Sequence, residues 1–175
     1  MTSANATDPA LEEAARQVLD RAMARKLTLA TAESCTAGAL AQLLANAPGA
    51  GENFHGGFVV YTKENKSAAL GVPPDLIARH SAVSAEVAAA MARGALERCP
   101  ADLTVAITGV AGPEPDEDGN PVGLVHVAVA GRNDFLLQRE HRFGETSKDE
   151  ICAGILMLAL GLLQTAIDQP KTEAP

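Results

Sequence analysis

Short apolar runs alternating with helix-length segments constrain this 175-residue chain more than any other feature. LTLATA (27–32), GFVVY (57–61) and LTVAITGVAG (103–112) are bounded by Gly, Pro or polar corners, the pattern of strands buried on both faces. VGLVHVAVAG and DFLLQREHRF, joined by Gly131-Arg132-Asn133, predict an antiparallel hairpin. Between these runs the period changes to that of helices. Asp8-Pro9 opens a first helix carrying Leu11, Ala15, Val18 and Ala22 as far as about Arg25, and AGALAQLLANA is ended by Pro48 and Gly49. Two short helices follow at 67–70 and 74–80, separated from GFVVY by a polar turn, and Ser84 caps a third containing Val87, Met91 and Leu96, with Glu86 in its first turn. Ser147 and Glu150 form a capping box ahead of a last helix over 151–167. The order predicts an α/β fold, a three-layer α/β/α sandwich with a mixed, mostly parallel sheet of about five strands. A single domain is expected over 8–168, flanked by disordered tails at 1–7 and 169–175.

Composition narrows the function classes. With 47% hydrophobic and 21% charged residues the chain is of ordinary globular make-up, and its length suits one core. A formal net charge of -8 is the wrong sign for a phosphate-backbone binder, so no nucleic acid partner is expected, although a local pocket can still hold one anionic small molecule. Tyr61 is the sole tyrosine and there is no tryptophan, which leaves no platform for base stacking. Cys35, Cys99 and Cys152 contain no CxxC pair and fit neither a disulfide framework nor a zinc knuckle, pointing to a reducing cytoplasm. The amino terminus lacks a basic start and apolar run, and Ile151–Leu163 is too short to span a bilayer, so no secretory signal and no membrane partner are expected. Histidines at 55, 80, 126 and 141 have no metal-ligand spacing, and no metal is expected. His126, inside an apolar strand, reads as a hydrogen-bonded interior residue, and acidic Glu114–Asp118 as a solvated surface loop.

Open α/β sheets gather ligands beyond the carboxyl ends of their strands, where helices begin. Two segments have that form. Glu33-Ser34-Cys35-Thr36 with Gly38 beyond can present a nucleophile beside free helix-start amides, although taken alone such residues more often simply cap a helix. Thr108, Gly109, Ala111 and Gly112 form a strand-ending turn that lets backbone approach a ligand, without the spacing of a Walker A loop. A third segment, Tyr61-Thr62-Lys63-Glu64-Asn65-Lys66, holds lysines that serve as bases only if burial or cationic neighbours lower their pKa, and otherwise is an exposed turn.

Taken in order, TAESCTAG (31–38), FHGGFVVYTKENKSAALGVP (54–73), HSAVSAEVAAAMARGA (80–95), ITGVAGP (107–113) and PVGLVHVAV (121–129) resemble the CinA carboxy-terminal domain family, which includes the nicotinamide-nucleotide amidases. The resemblance implies hydrolysis of the carboxamide of nicotinamide mononucleotide (NMN), giving nicotinate mononucleotide and ammonia. It implies a Ser/Lys amidohydrolase with no cofactor, a homo-oligomer and a small-molecule nucleotide as substrate. By motif the nucleophile is Ser34, and the family's Tyr-x-x-x-x-Lys falls on Tyr61 and Lys66, so that Lys66 takes the Ser34 proton directly or through the Tyr61 phenol. Glu33, Cys35, Thr36, Gly38, Thr108, Gly109, Ala111 and Gly112 are the expected substrate-binding residues. Lys63 stands where the family often has Asn, Ala37 where it commonly has Gly, and Lys148 and Cys152 where its last helix tends to carry Arg. Those last two departures raise an alternative, a catalytically impaired nucleotide-binding or regulatory module of the same fold. A Cys35 nucleophile is a third reading, without a His at recognisable spacing to serve it. The amino-terminal domain of full-length members has no counterpart here, so a stand-alone form is expected.

Overall fold

The computed structural model describes residues 8–144 and 146–169; the expected tails, apart from Gln169, lie outside the described residues. Asp8 caps α1 (Pro9–Arg25) through its carboxylate, which accepts from the Ala10 amide at 2.9 Å. β1 (Leu29–Glu33) leads through the Ser34 corner into α2 (Ala39–Asn46), a short α3 (Ala50–Asn53) and edge strand β2 (Phe54–Val59). α4 (Lys63–Leu70), α5 (Pro74–His80) and α6 (Ala85–Arg98) return the chain to β3 (Leu103–Gly109), followed by β4 (Leu124–Gly131), β5 (Leu136–Arg142) and α7 (Lys148–Asp168).

The sheet has the order β2-β1-β3-β4-β5, with β1 parallel to both β2 and β3 and antiparallel pairings from β3 to β4 and β4 to β5. Only β4 therefore runs against the rest, as the short turn before β5 implied. Helices cover both faces, making the three layers. Leu29, Val105, Ile107, Val125, Val127 and Val129 pack with α1, α2 and α7, while Ala32, Ala106, Ala128 and Ala130 face α4, α5 and α6. Small residues on the second face let α6 lie close to the sheet, and Gly94 extends the same economy of space, because a Cβ there would sit 2.0 Å from the Leu70 carbonyl oxygen of α4.

Several boundaries differ from the sequence reading. α4 begins at Lys63 instead of Ser67, because the Thr62 hydroxyl accepts from the Asn65 amide and caps it where a polar turn was expected. β2 lies earlier than GFVVY, at Phe54–Val59, since pairing to β1 sets its register. α7 is longer at both ends; its 21 residues have the length and apolarity of a membrane span, yet half of that stretch is buried within the domain, against α1 and the sheet. His126 is buried, but its Nδ1 has no hydrogen-bond partner among the described residues, contrary to the bonded interior residue expected; burial holds its pKa below the usual range.

Candidate active site

β1, β2 and β3 all end on one edge of the sheet, and their carboxyl ends bring the three candidate segments together. Ser34 extends β1 by one residue, its amide donating to the Ile107 carbonyl of β3 at 3.0 Å. The chain then turns sharply. Ala37 and Gly38 both take positive φ, +50° and +95°. Gly38 adopts this freely, whereas Ala37 carries a left-handed penalty of about 1 kcal/mol that a glycine would not.

Glu33 organises the corner. Fully buried, its carboxylate accepts from the amides of Gly38 (3.2 Å), Leu40 (3.0 Å) and Ala41 (2.7 Å) and from the hydroxyls of Thr36 (2.7 Å) and Thr31 (3.2 Å). The free donors of the α2 terminus are thereby consumed. Glu33, Thr36 and Gly38, expected to touch substrate, are engaged in this cap and are not among the residues lining the cleft onto which Ser34 opens, and the α2 amides are not available to an oxyanion. Within the turn, the amides of Cys35 and Thr36 are the two without an acceptor among the described residues.

Lys66 reaches Ser34 from α4. Only 2% exposed, its Nζ donates to Ser34 Oγ at 2.9 Å and to the carbonyls of Val60 (3.1 Å) and Tyr61 (3.2 Å). Burial lowers its pKa from the ordinary 10.5 to about 8, assisted by the nearby charge of Lys63. Tyr61 takes part through its backbone: the carbonyl bonds Lys66, whereas the side chain is 69% exposed and its hydroxyl has no partner among the described residues. A relay through the phenol is not the arrangement seen; amine and hydroxyl touch directly. Burial pushes the Cys35 thiol up to about 12, with Cys152 adding to the effect, which leaves it no thiolate to attack with at neutral pH.

Ser34 and Lys66 open onto a cleft of about 520 Å³ whose lining includes Cys35, Tyr61, Thr108, Gly109, Ala111 and Gly112. Thr108 turns its hydroxyl away, to the Ala82 carbonyl at 2.7 Å, so this turn presents mainly backbone and small side chains. Ala82 and Val83 before α6 were not foreseen from sequence as contributors, and the acidic segment carrying Glu114, Asp116 and Glu117, read as a solvated surface loop, also lines the cleft. No local pattern marked them, because the fold alone carries them to this edge. Of the two departures in the last helix, Lys148 faces the cleft, while Cys152 lines a separate groove among α1, α2 and α7. Among the described residues, no group of three or more His, Cys, Asp or Glu is placed to hold a metal ion.

The family model for the CinA C-terminal domain matches residues 11–167, from the first turn of α1 to the last turn of α7. The chain belongs to the CinA C-terminal domain family. A putative competence-damage inducible protein of Symbiobacterium thermophilum is 48% identical over 122 residues, covering 69% of this chain and 29% of that protein. The chain thus spans about three tenths of the length of the curated relatives it matches. Among solved structures, the competence/damage inducible protein CihA of Agrobacterium tumefaciens aligns with a TM-score of 0.88 and 37% identity over 95% of this chain and all (100%) of that one. A CinA superfamily protein of Escherichia coli aligns with a TM-score of 0.85 and 36% identity over 93% and 94% of the two chains. This CinA domain therefore shares its mixed five-stranded sheet with the superfamily.

Proposed function

We propose that this CinA domain is an amidohydrolase that deamidates nicotinamide mononucleotide to nicotinate mononucleotide and ammonia. The observation that carries the proposal is the 2.9 Å contact between buried Lys66 Nζ and Ser34 Oγ in the lining of a ligand-sized cleft. With a pKa brought down to about 8, the amine is neutral in roughly one molecule in ten at pH 7, and the same contact then runs in reverse, Oγ donating to Nζ. Ser34 Oγ adds to the amide carbon as Lys66 takes its proton. The Cys35 and Thr36 amides are the donors left for the oxyanion. Collapse of the adduct breaks the C–N bond, Lys66 gives its proton to the departing nitrogen, and ammonia leaves an acyl-serine. Water, deprotonated by the same amine, hydrolyses the ester and restores the serine. A homo-oligomeric state and a cytoplasmic location accompany this reading.

Ammonia release from NMN, with nicotinamide and NAD as comparison amides, tests it. Release confined to NMN and lost in Ser34→Ala, with the fold retained by circular dichroism, is the expected result. NMN binding by calorimetry without release would instead favour the nucleotide-binding module, with Lys148 at the cleft as the first residue to examine.

A further inference from the structure

The Ser34–Lys66 pair leaves one lysine of α4 without a role. Lys63 is the first residue of the helix, one turn before Lys66, and also lines the cleft; its Nζ lies 2.6 Å from Glu117 Oε1 and 2.9 Å from Asp118 Oδ1. The 114–120 segment has no apolar anchor beyond its Pro, and most of it is exposed; what holds it is polar. Asn120 Nδ2 donates to Ser81 Oγ at 2.7 Å and to Asp116 Oδ2 at 2.8 Å, tying the far end of the segment to the turn before α6. Lys63 ties its middle to α4. The segment held by those two ties contributes Glu114, Asp116 and Glu117 to the lining of the cleft onto which Ser34 and Lys66 open. The amides of Asp118 and Asn120 also donate to Asp116 Oδ1, at 3.1 and 2.8 Å, but four carboxylates within five residues repel one another, and Lys63 is the cation that meets two of them.

We propose that Lys63 is a positioning residue of the cleft: it acts on bound substrate through the 114–120 segment, fastening that segment as a wall beside Ser34. The inference rests on the reading of Ser34 and Lys66 as an amidohydrolase pair. Lys63 is not a second base, since its two carboxylate partners raise its pKa and keep it charged. Each partly exposed pair of this kind shifts a local equilibrium by up to about fivefold, so the two together suffice to set how long the wall stays in place.

The test uses the full chain and four variants, Lys63→Met, Lys63→Arg, Lys63→Glu and the double charge reversal Lys63→Glu with Asp118→Lys. Hydrogen exchange over 114–120 and the rate of Ser34 labelling by a fluorophosphonate are read alongside KM and kcat for NMN. Lys63→Met is expected to speed exchange in the segment and to raise KM about five- to tenfold, with kcat changed less than about twofold. Lys63→Arg keeps both, and the double reversal recovers part of what Lys63→Glu alone loses. Unchanged exchange in Lys63→Met overturns the proposal, as does a loosened segment with unchanged KM, or a fall confined to kcat. If the unaltered protein releases no ammonia from NMN, it is the amidase reading that fails. Segment exchange and Ser34 labelling then decide for Lys63: both altered in Lys63→Met and recovered in the double reversal upholds the proposal, and either one unaltered overturns it.

Discussion

Replacing Lys66 by methionine should make the domain more stable at pH 7 while removing its activity. The drop in the lysine pKa from 10.5 to about 8 expresses a preference for the neutral amine worth about 3 kcal/mol, at roughly 1.4 kcal/mol per pH unit. At pH 7 that preference is a cost, because the amine is mostly charged inside a site where it is 2% exposed. Methionine is close in length and removes the cost, but leaves the carbonyls of Val60 and Tyr61 without this donor, at about 1 kcal/mol or less each. The net gain is about 1 to 2 kcal/mol, or a rise in Tm of a few degrees for a domain of this size. The pH dependence supplies the sign. Between about 8 and 10.5 the unfolded chain still holds the lysine proton that the folded protein has released, so this group makes stability increase with pH across that window. Urea unfolding of both proteins at pH 7, 8, 9 and 10 reads the effect as a difference, in which the other titrating groups cancel. The advantage of Lys66→Met should be largest at pH 7 and shrink toward pH 10. A variant that is less stable at pH 7, with a constant offset from the unaltered protein, would refute the reasoning. In the unaltered protein, kcat/KM should climb with pH through an apparent pKa near 8 as the neutral amine accumulates.

Two further predictions concern the supports of the site. Glu33→Ala strips the acceptor from three amides and two hydroxyls in a fully buried corner, and should cost about 3 to 5 kcal/mol in urea unfolding; a loss below about 1 kcal/mol would show that α2 does not depend on this cap. Gly94→Ala puts a methyl 2.0 Å from the Leu70 carbonyl oxygen, so α4 must move away from α6, lowering stability by about 1 to 3 kcal/mol and disturbing the Lys66–Ser34 contact. An unchanged thermal midpoint with full ammonia release would contradict that tight approach.

The helix starts at Asp8, Ser84 and Ser147 were legible because a cap is local chemistry, a side-chain oxygen meeting an amide two or three residues on. The same holds for the five strands and the reversal at Gly131–Asn133, which follow from apolar runs and turn residues. Ser34 and Lys66 were paired by motif, and the fold brings them to 2.9 Å; Thr62-x-x-Asn65 held a readable signal for the true start of α4. The capping role of Glu33 was not legible because its five donors come from residues 31 to 41, a set that exists only once the chain has doubled back at Ala37 and Gly38. Tyr61 was read as a phenol, and its part at Lys66 is played by its carbonyl, which any residue could supply.

Residue periodicity and short-range capping thus determined which elements form and in what order, and the sharp corner after β1 marked where chemistry could sit. Contact between groups far apart in the chain was decided by the tertiary structure alone. Lys66 lies 32 residues from Ser34, and Lys63 lies 55 from Asp118. Those pairs meet because β1, β2 and β3 end on one edge of the sheet, and the burial that lowers the Lys66 pKa comes from the layers packed around that edge. Amphipathic period is written along a chain, whereas desolvation and charge pairing belong to the space that the folded chain encloses.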